Sequence, residues 1–99
     1  MQRIPIDSFL KFCKSLEGQE LHTIARRAKF TVKVGDDGLV FTPCSSNKPL
    51  SPHKRHYVER VLEDFAKNDG SYKTANHNGY TVNTSYQLAL IDKYTRFVA

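Results

Sequence analysis

Seven basic side chains fall in two segments that hold no carboxylate. Arg26, Arg27, Lys29 and Lys33 stand between Leu21 and Val34; Lys48, Lys54 and Arg55 stand between Ser45 and Tyr57, with His53 and His56 among them. Acidic residues collect elsewhere, at Glu17/Glu20, Asp36/Asp37 and Glu59/Glu63/Asp64. A local excess of positive charge attracts a polyanion, because each phosphate neutralised releases condensed counterions. Ser51 before Pro52 reads as a helix start, a side-chain cap followed by a residue whose missing N–H is not needed there. That reading sets Lys54 and Arg55 in the first turn of a helix over 52–67. Cations at a helix N-terminus are locally unfavourable, and a bound phosphate reverses the cost. Ser45, Ser46 and Asn47, just before, add neutral donors for phosphate oxygens. The expected contact set is Arg26, Arg27, Lys29, Lys33, Ser46, Lys48, His53, Lys54 and Arg55. The plainer reading of the same charges is a solvated surface.

Four histidines, His22, His53, His56 and His77, raise acid–base chemistry. One imidazole as general base and another as acid, with Lys54 or Arg55 on the developing phosphorane charge, would make a metal-independent nuclease. His53 and His56, three apart on one expected helix, also resemble half of a metal site, but no second His or Cys pair completes it. Gly35-Asp-Asp-Gly38 lacks the length, the Lys and the following helix of a P-loop. No Gly-x-Ser-x-Gly elbow, zinc-finger spacing, RNP-type aromatic motif or basic zipper is present. The expectation is a binder and not an enzyme, with no metal and no cofactor. Tyr57, Tyr86 and Tyr94 fall on core stripes, whereas Tyr72 and Tyr80 could fill core, stack on bases or anchor a protein.

The elements that would carry these residues follow from periodicity. Ile6, Phe9, Leu10, Cys13 and Leu16 form the stripe of a helix over 8–17, with Asp7 as N-cap and Gly18 as terminator. Residues 19–28 fit either a helical face or a short strand, and the strand is preferred. Phe30–Val34 alternates with period two, Gly35–Gly38 turns, and Leu39–Thr42 returns, which makes a hairpin. Tyr57, Val58, Val61, Leu62 and Phe65 mark the second helix, closed by Asn68-Asp-Gly70. Residues 71–83 suit a second hairpin hinged on Asn78-Gly79, or a structured loop. Asn83 or Thr84 then caps a last helix bearing Tyr86, Leu88, Leu90, Ile91, Tyr94 and Phe97, apolar on more than one side and so enclosed. This order predicts one α+β domain over 1–99, a hairpin or three-stranded meander packed against three helices.

Bulk numbers bound the rest. Ninety-nine residues, 39% hydrophobic and 25% charged with a net charge of +5, exclude a multi-domain enzyme and a disordered chain. No apolar run reaches the roughly 20 residues of a membrane span, and no signal-peptide pattern opens the chain, so a cytoplasmic location is expected. Cys13 and Cys44 are then expected to be free thiols, Cys13 buried and Cys44 exposed. The functional expectation is a small nucleic-acid-binding module, DNA before RNA, working through phosphate contacts. The alternative is a small inhibitor or adaptor, of the sort phages direct against host machinery, docking on an acidic or nucleic-acid-binding protein.

Overall fold

The computed structural model describes residues 3–70 and 82–98. Their order is α1 (Ile6–Ser15), β1 (Leu21–His22), β2 (Lys29–Gly35), β3 (Gly38–Pro43), β4 (His53–Lys54), α2 (Arg55–Lys67) and α3 (Val82–Val98). The α+β class holds, with one antiparallel sheet in the order β1-β2-β3-β4. The segment at 21–22 is a strand. The hairpin considered for 71–83 lies outside the described residues up to 81, and Val82, expected with Tyr80 on its second strand, instead begins α3.

The sheet has two chemically distinct faces. Phe30, Val32, Leu39 and Phe41 are buried, and the pairing of Val32 with Phe41 and of Val34 with Leu39 aligns them on one face. Period two then turns Thr31, Lys33, Val40 and Thr42 to the other face. Helices cover the first face. Phe30, Phe41 and Tyr86 of α3 form a three-ring cluster with centroids 4.8–5.9 Å apart, a spacing that favours edge-to-face and offset contacts. α2 adds Val58, Val61, Leu62 and Phe65, and α1 adds Phe9 and Cys13. In α3 the run Gln87–Ile91 is buried without a break. Only a helix surrounded on several sides buries consecutive residues, as its all-round apolar pattern predicted.

Three boundaries differ from expectation. Ser51–Pro52 starts no helix: His53 and Lys54 pair with Leu39 and Gly38 as β4, and α2 begins at Arg55 with no side-chain cap bond from its N-cap, Lys54. The exposed backbone of β3 explains the shift. The Leu50 amide donates to the Phe41 carbonyl at 2.9 Å, and the Arg55 amide donates to the Asp37 carbonyl at 2.7 Å. These bonds satisfy groups that a local cap would leave open. The fit depends on Gly38, whose φ of +139° disfavours a side chain and whose added Cβ would overlap the His53 carbonyl oxygen. In α1 the N-cap is Pro5, and Asp7 sits inside the first turn, where its charge still favours the helix dipole. Asn83 and Thr84 lie within α3. Tyr57, assigned to the core by its spacing, is 39% exposed.

Candidate functional site

Two loops meet at one end of the sheet. The β1–β2 loop is closed by Thr23, whose amide donates to the Ala28 carbonyl at 3.0 Å and whose hydroxyl accepts from the Ala28 amide at 2.9 Å. Thr23 is buried, and the tip beyond it, with Arg26 and Arg27, is exposed. The β3–β4 loop turns immediately after Pro43. The Asn47 amide donates to the Pro43 carbonyl at 2.9 Å, and Asn47 takes φ of +55°, a conformation Asn tolerates better than most residues. The Lys48 amide approaches the Ser46 hydroxyl oxygen at 3.4 Å. A bond from the Cys44 amide to the Lys29 carbonyl, 2.9 Å, ties this loop to the start of β2. Arg26, Arg27, Lys29, Ser46 and Lys48 therefore occupy one end of the sheet, and all five are exposed.

Lys54 and Arg55 do not join them there. They lie at the opposite end, beside the Asp36–Asp37 turn, six strand steps or roughly 20 Å from Lys29 along β2. Arg55 is moreover engaged. Its guanidinium contacts the Asp7 carboxylate at 2.8 Å and the Glu59 carboxylate at 3.5 Å, and its bond to Asp7 leads the influences that hold its pKa above the usual arginine value. Arg55 thus braces the starts of α1 and α2, and its charge is already answered. This corrects its assignment as a free phosphate contact. Lys29 approaches Glu20 at 3.4 Å, with both side chains more than half exposed, a pair worth little in solvent. Arg26, Arg27, Lys33, Lys48 and Lys54 make no ion pair among the described residues.

His53 is a second correction. It faces inward from β4 at 2% exposure, so no phosphate reaches it. Its Nε2 lies 2.5 Å from Gln87 Oε1, and Gln87 Nε2 donates to the Val58 carbonyl at 3.0 Å. Since the amide nitrogen of Gln87 is the donor to Val58, Oε1 must accept, and His53 carries its proton on Nε2. Burial pushes the His53 pKa down; the Gln87 bond works against this, and the nearby His56 charge works with it. A neutral imidazole satisfied by a fully buried amide is core structure. His53 and His56 consequently share no helix face. His56 is exposed, its ring 4.1 Å from that of Tyr57.

Sequence reasoning also passed over a part of the surface. Thr31 and Thr42 are direct cross-strand partners, and Lys33 is opposite Val40, on the face turned away from the helices. The signal lay in the period-two alternation of 29–35 and 38–43, which puts Thr31 beside the charged positions Lys29 and Lys33. The two thiols are free, Cys13 buried and Cys44 exposed. Burial raises the Cys13 pKa to about 12. Among the described residues, no group of three or more His, Cys, Asp or Glu side chains could hold a metal ion, and no helix is long and apolar enough to cross a membrane. No protein-family model, curated protein or solved structure matches the chain.

Proposed function

We propose that the chain is a small nucleic-acid-binding module that holds the phosphate backbone of DNA, in preference to RNA, at the end of its sheet. Arg26, Arg27, Lys29 and Lys48 supply charge there, Ser46 supplies a neutral donor, and Lys33 extends the surface along β2. The observation that carries this reading is the bond from Cys44 to the Lys29 carbonyl, which draws two sequence-distant basic loops onto one exposed edge. Three of those four loop-end cations make no ion pair among the described residues, so binding a phosphate breaks few existing contacts. A binding role is favoured over catalysis because His53, one of the two histidines that stand three apart in the chain, is buried and bonded to Gln87.

Fluorescence anisotropy with a labelled 20-bp DNA duplex between 50 and 200 mM salt tests the proposal. With about four phosphates neutralised, log K falls against log salt with a slope of about −4, and Arg26→Ala/Arg27→Ala reduces the slope by about 2. Absence of binding at 50 mM salt, or a slope untouched by the double substitution, overturns it. One observation favours docking on an acidic or nucleic-acid-binding protein instead: Ile24, 43% exposed at the tip of the arginine-bearing loop. Capture of a protein from native lysate that survives nuclease treatment, with no binding to the free duplex, is the result expected on that reading.

A further inference from the structure

The face of the sheet turned away from the helices also carries lysines, Lys29, Lys33 and Lys54. Register puts His22 opposite Lys29, Thr31 opposite Thr42, Lys33 opposite Val40 and Lys54 opposite Gly38, all on that face. His22, Lys29, Lys33 and Lys54 are exposed, and Thr31, Val40 and Thr42 are partly so. Strand geometry sets Lys29 about 13 Å from Lys33 along β2, and Lys33 about 12 Å from Lys54 across β3. Between the lysines, the Thr31–Thr42 pair presents two hydroxyls and two methyls within about 5.5 Å of each other. Beyond Val40 the Gly35–Gly38 pair carries no side chain, and an open depression of about 310 Å³ lies there, bounded by Asp36 and Asp37 of the turn as well as by Pro52 and Lys54.

Resting on the nucleic-acid reading above, we infer that this face lies in the major groove of double-stranded DNA, with Lys29, Lys33 and Lys54 on phosphates and Thr31 and Thr42 on base edges. The major groove is about 12 Å wide and admits a β-ribbon, and sheets are known to read it. Cations spaced by about that width reach the phosphates that border the groove while the ribbon between them enters it. Threonine suits the centre, because its hydroxyl serves any base edge and its methyl packs on the thymine methyl. Lys54, remote from the loop cluster, regains a role as the contact on the far border. An RNA duplex offers no such site, since its major groove is too deep and narrow for side chains.

Three probes of one sequence separate the outcomes: a 20-bp DNA duplex, the corresponding RNA duplex and a single DNA strand. The DNA duplex is expected to bind at least tenfold more tightly than the RNA duplex at equal salt. With Lys33 and Lys54 added to the four loop-end cations the salt slope steepens to about −5.4, and Lys33→Ala/Lys54→Ala weakens binding several-fold and returns the slope to about −3.6. Selection from randomised DNA duplexes is expected to yield a consensus. Thr31→Val/Thr42→Val, which preserves shape and strand preference, loses tenfold or more for that consensus while random duplex binds within twofold of the parent. Equal binding of DNA and RNA duplexes, no consensus, or a consensus indifferent to the threonine substitutions overturns the groove assignment and leaves phosphate binding standing. No binding to any of the three overturns both.

Discussion

Gln87→Leu should cost more than an ordinary core replacement of similar volume. The amide of Gln87 is fully buried and bridges α3 to two other elements, accepting from His53 Nε2 and donating to the Val58 carbonyl. Leucine fills the space and makes neither bond. The stranded His53 N–H costs about 1–3 kcal/mol, and the lost donor to Val58 about 1 more. The greater apolarity of leucine returns roughly 1 kcal/mol, so the net loss is about 1–3 kcal/mol. For a domain near 100 residues each kcal/mol moves Tm by roughly 4–8 °C, so Tm should fall by about 4–24 °C. Thermal unfolding followed by circular dichroism at pH 7.5, where His53 is neutral, reads this directly. A fall below about 4 °C would show that the bridge adds nothing beyond packing, and the assignment of the Nε2 proton would lose its support.

Acid should weaken the fold through His53. Its pKa lies below the ordinary 6.5 in the folded state, so as pH falls through 6.5 the unfolded chain gains a proton that the folded one refuses. The stability present above about pH 6.5 is therefore lost toward acid by up to about 1.4 kcal/mol per pH unit, and Tm of His53→Phe measured from pH 7.5 to 5 should lack that increment. Gly38→Ala should lower stability by about 1–3 kcal/mol from its backbone conformation alone, with added loss from the overlap with β4, read as a lower urea midpoint. Arg55→Ala should lower Tm and leave DNA affinity within twofold, whereas Arg26→Ala/Arg27→Ala does the reverse; paired melts and anisotropy titrations compare them. In the native protein a thiol reagent should titrate Cys44 alone, with Cys13 reacting only on unfolding. Iodoacetate at Cys44, which adds a negative charge beside Lys29, should weaken DNA binding more than neutral iodoacetamide does.

Much of the fold was legible along the chain because its signals are local. Phe9 and Cys13 recur at helical spacing, Phe30 and Val32 alternate, and Gly35-Asp-Asp-Gly38 breaks the run, so each element declares itself within about ten residues. Ser51–Pro52 misled for the same reason. It is a sound local helix signal, overruled by a strand edge that exists only once β3 has formed. Tyr57 shows the limit of a stripe: its spacing fits the buried set, yet it lies at the margin of the face that α2 packs against the sheet.

Composition and periodicity by themselves determined a basic α+β domain, its three helices, its central hairpin and the opposite fates of its two cysteines. Tertiary structure alone decided which cations act together. Charge is a property of residues, but convergence is a property of register: the pairing of Lys29 with His22 and the bond from Cys44 to the Lys29 carbonyl join Arg26, Arg27 and Lys48. The pairing of Lys54 with Gly38 and of Arg55 with Asp7 sends the other two elsewhere. Contacts between residues 7 to 48 positions apart leave no local periodicity, and so no reading of neighbours along the chain could sort them.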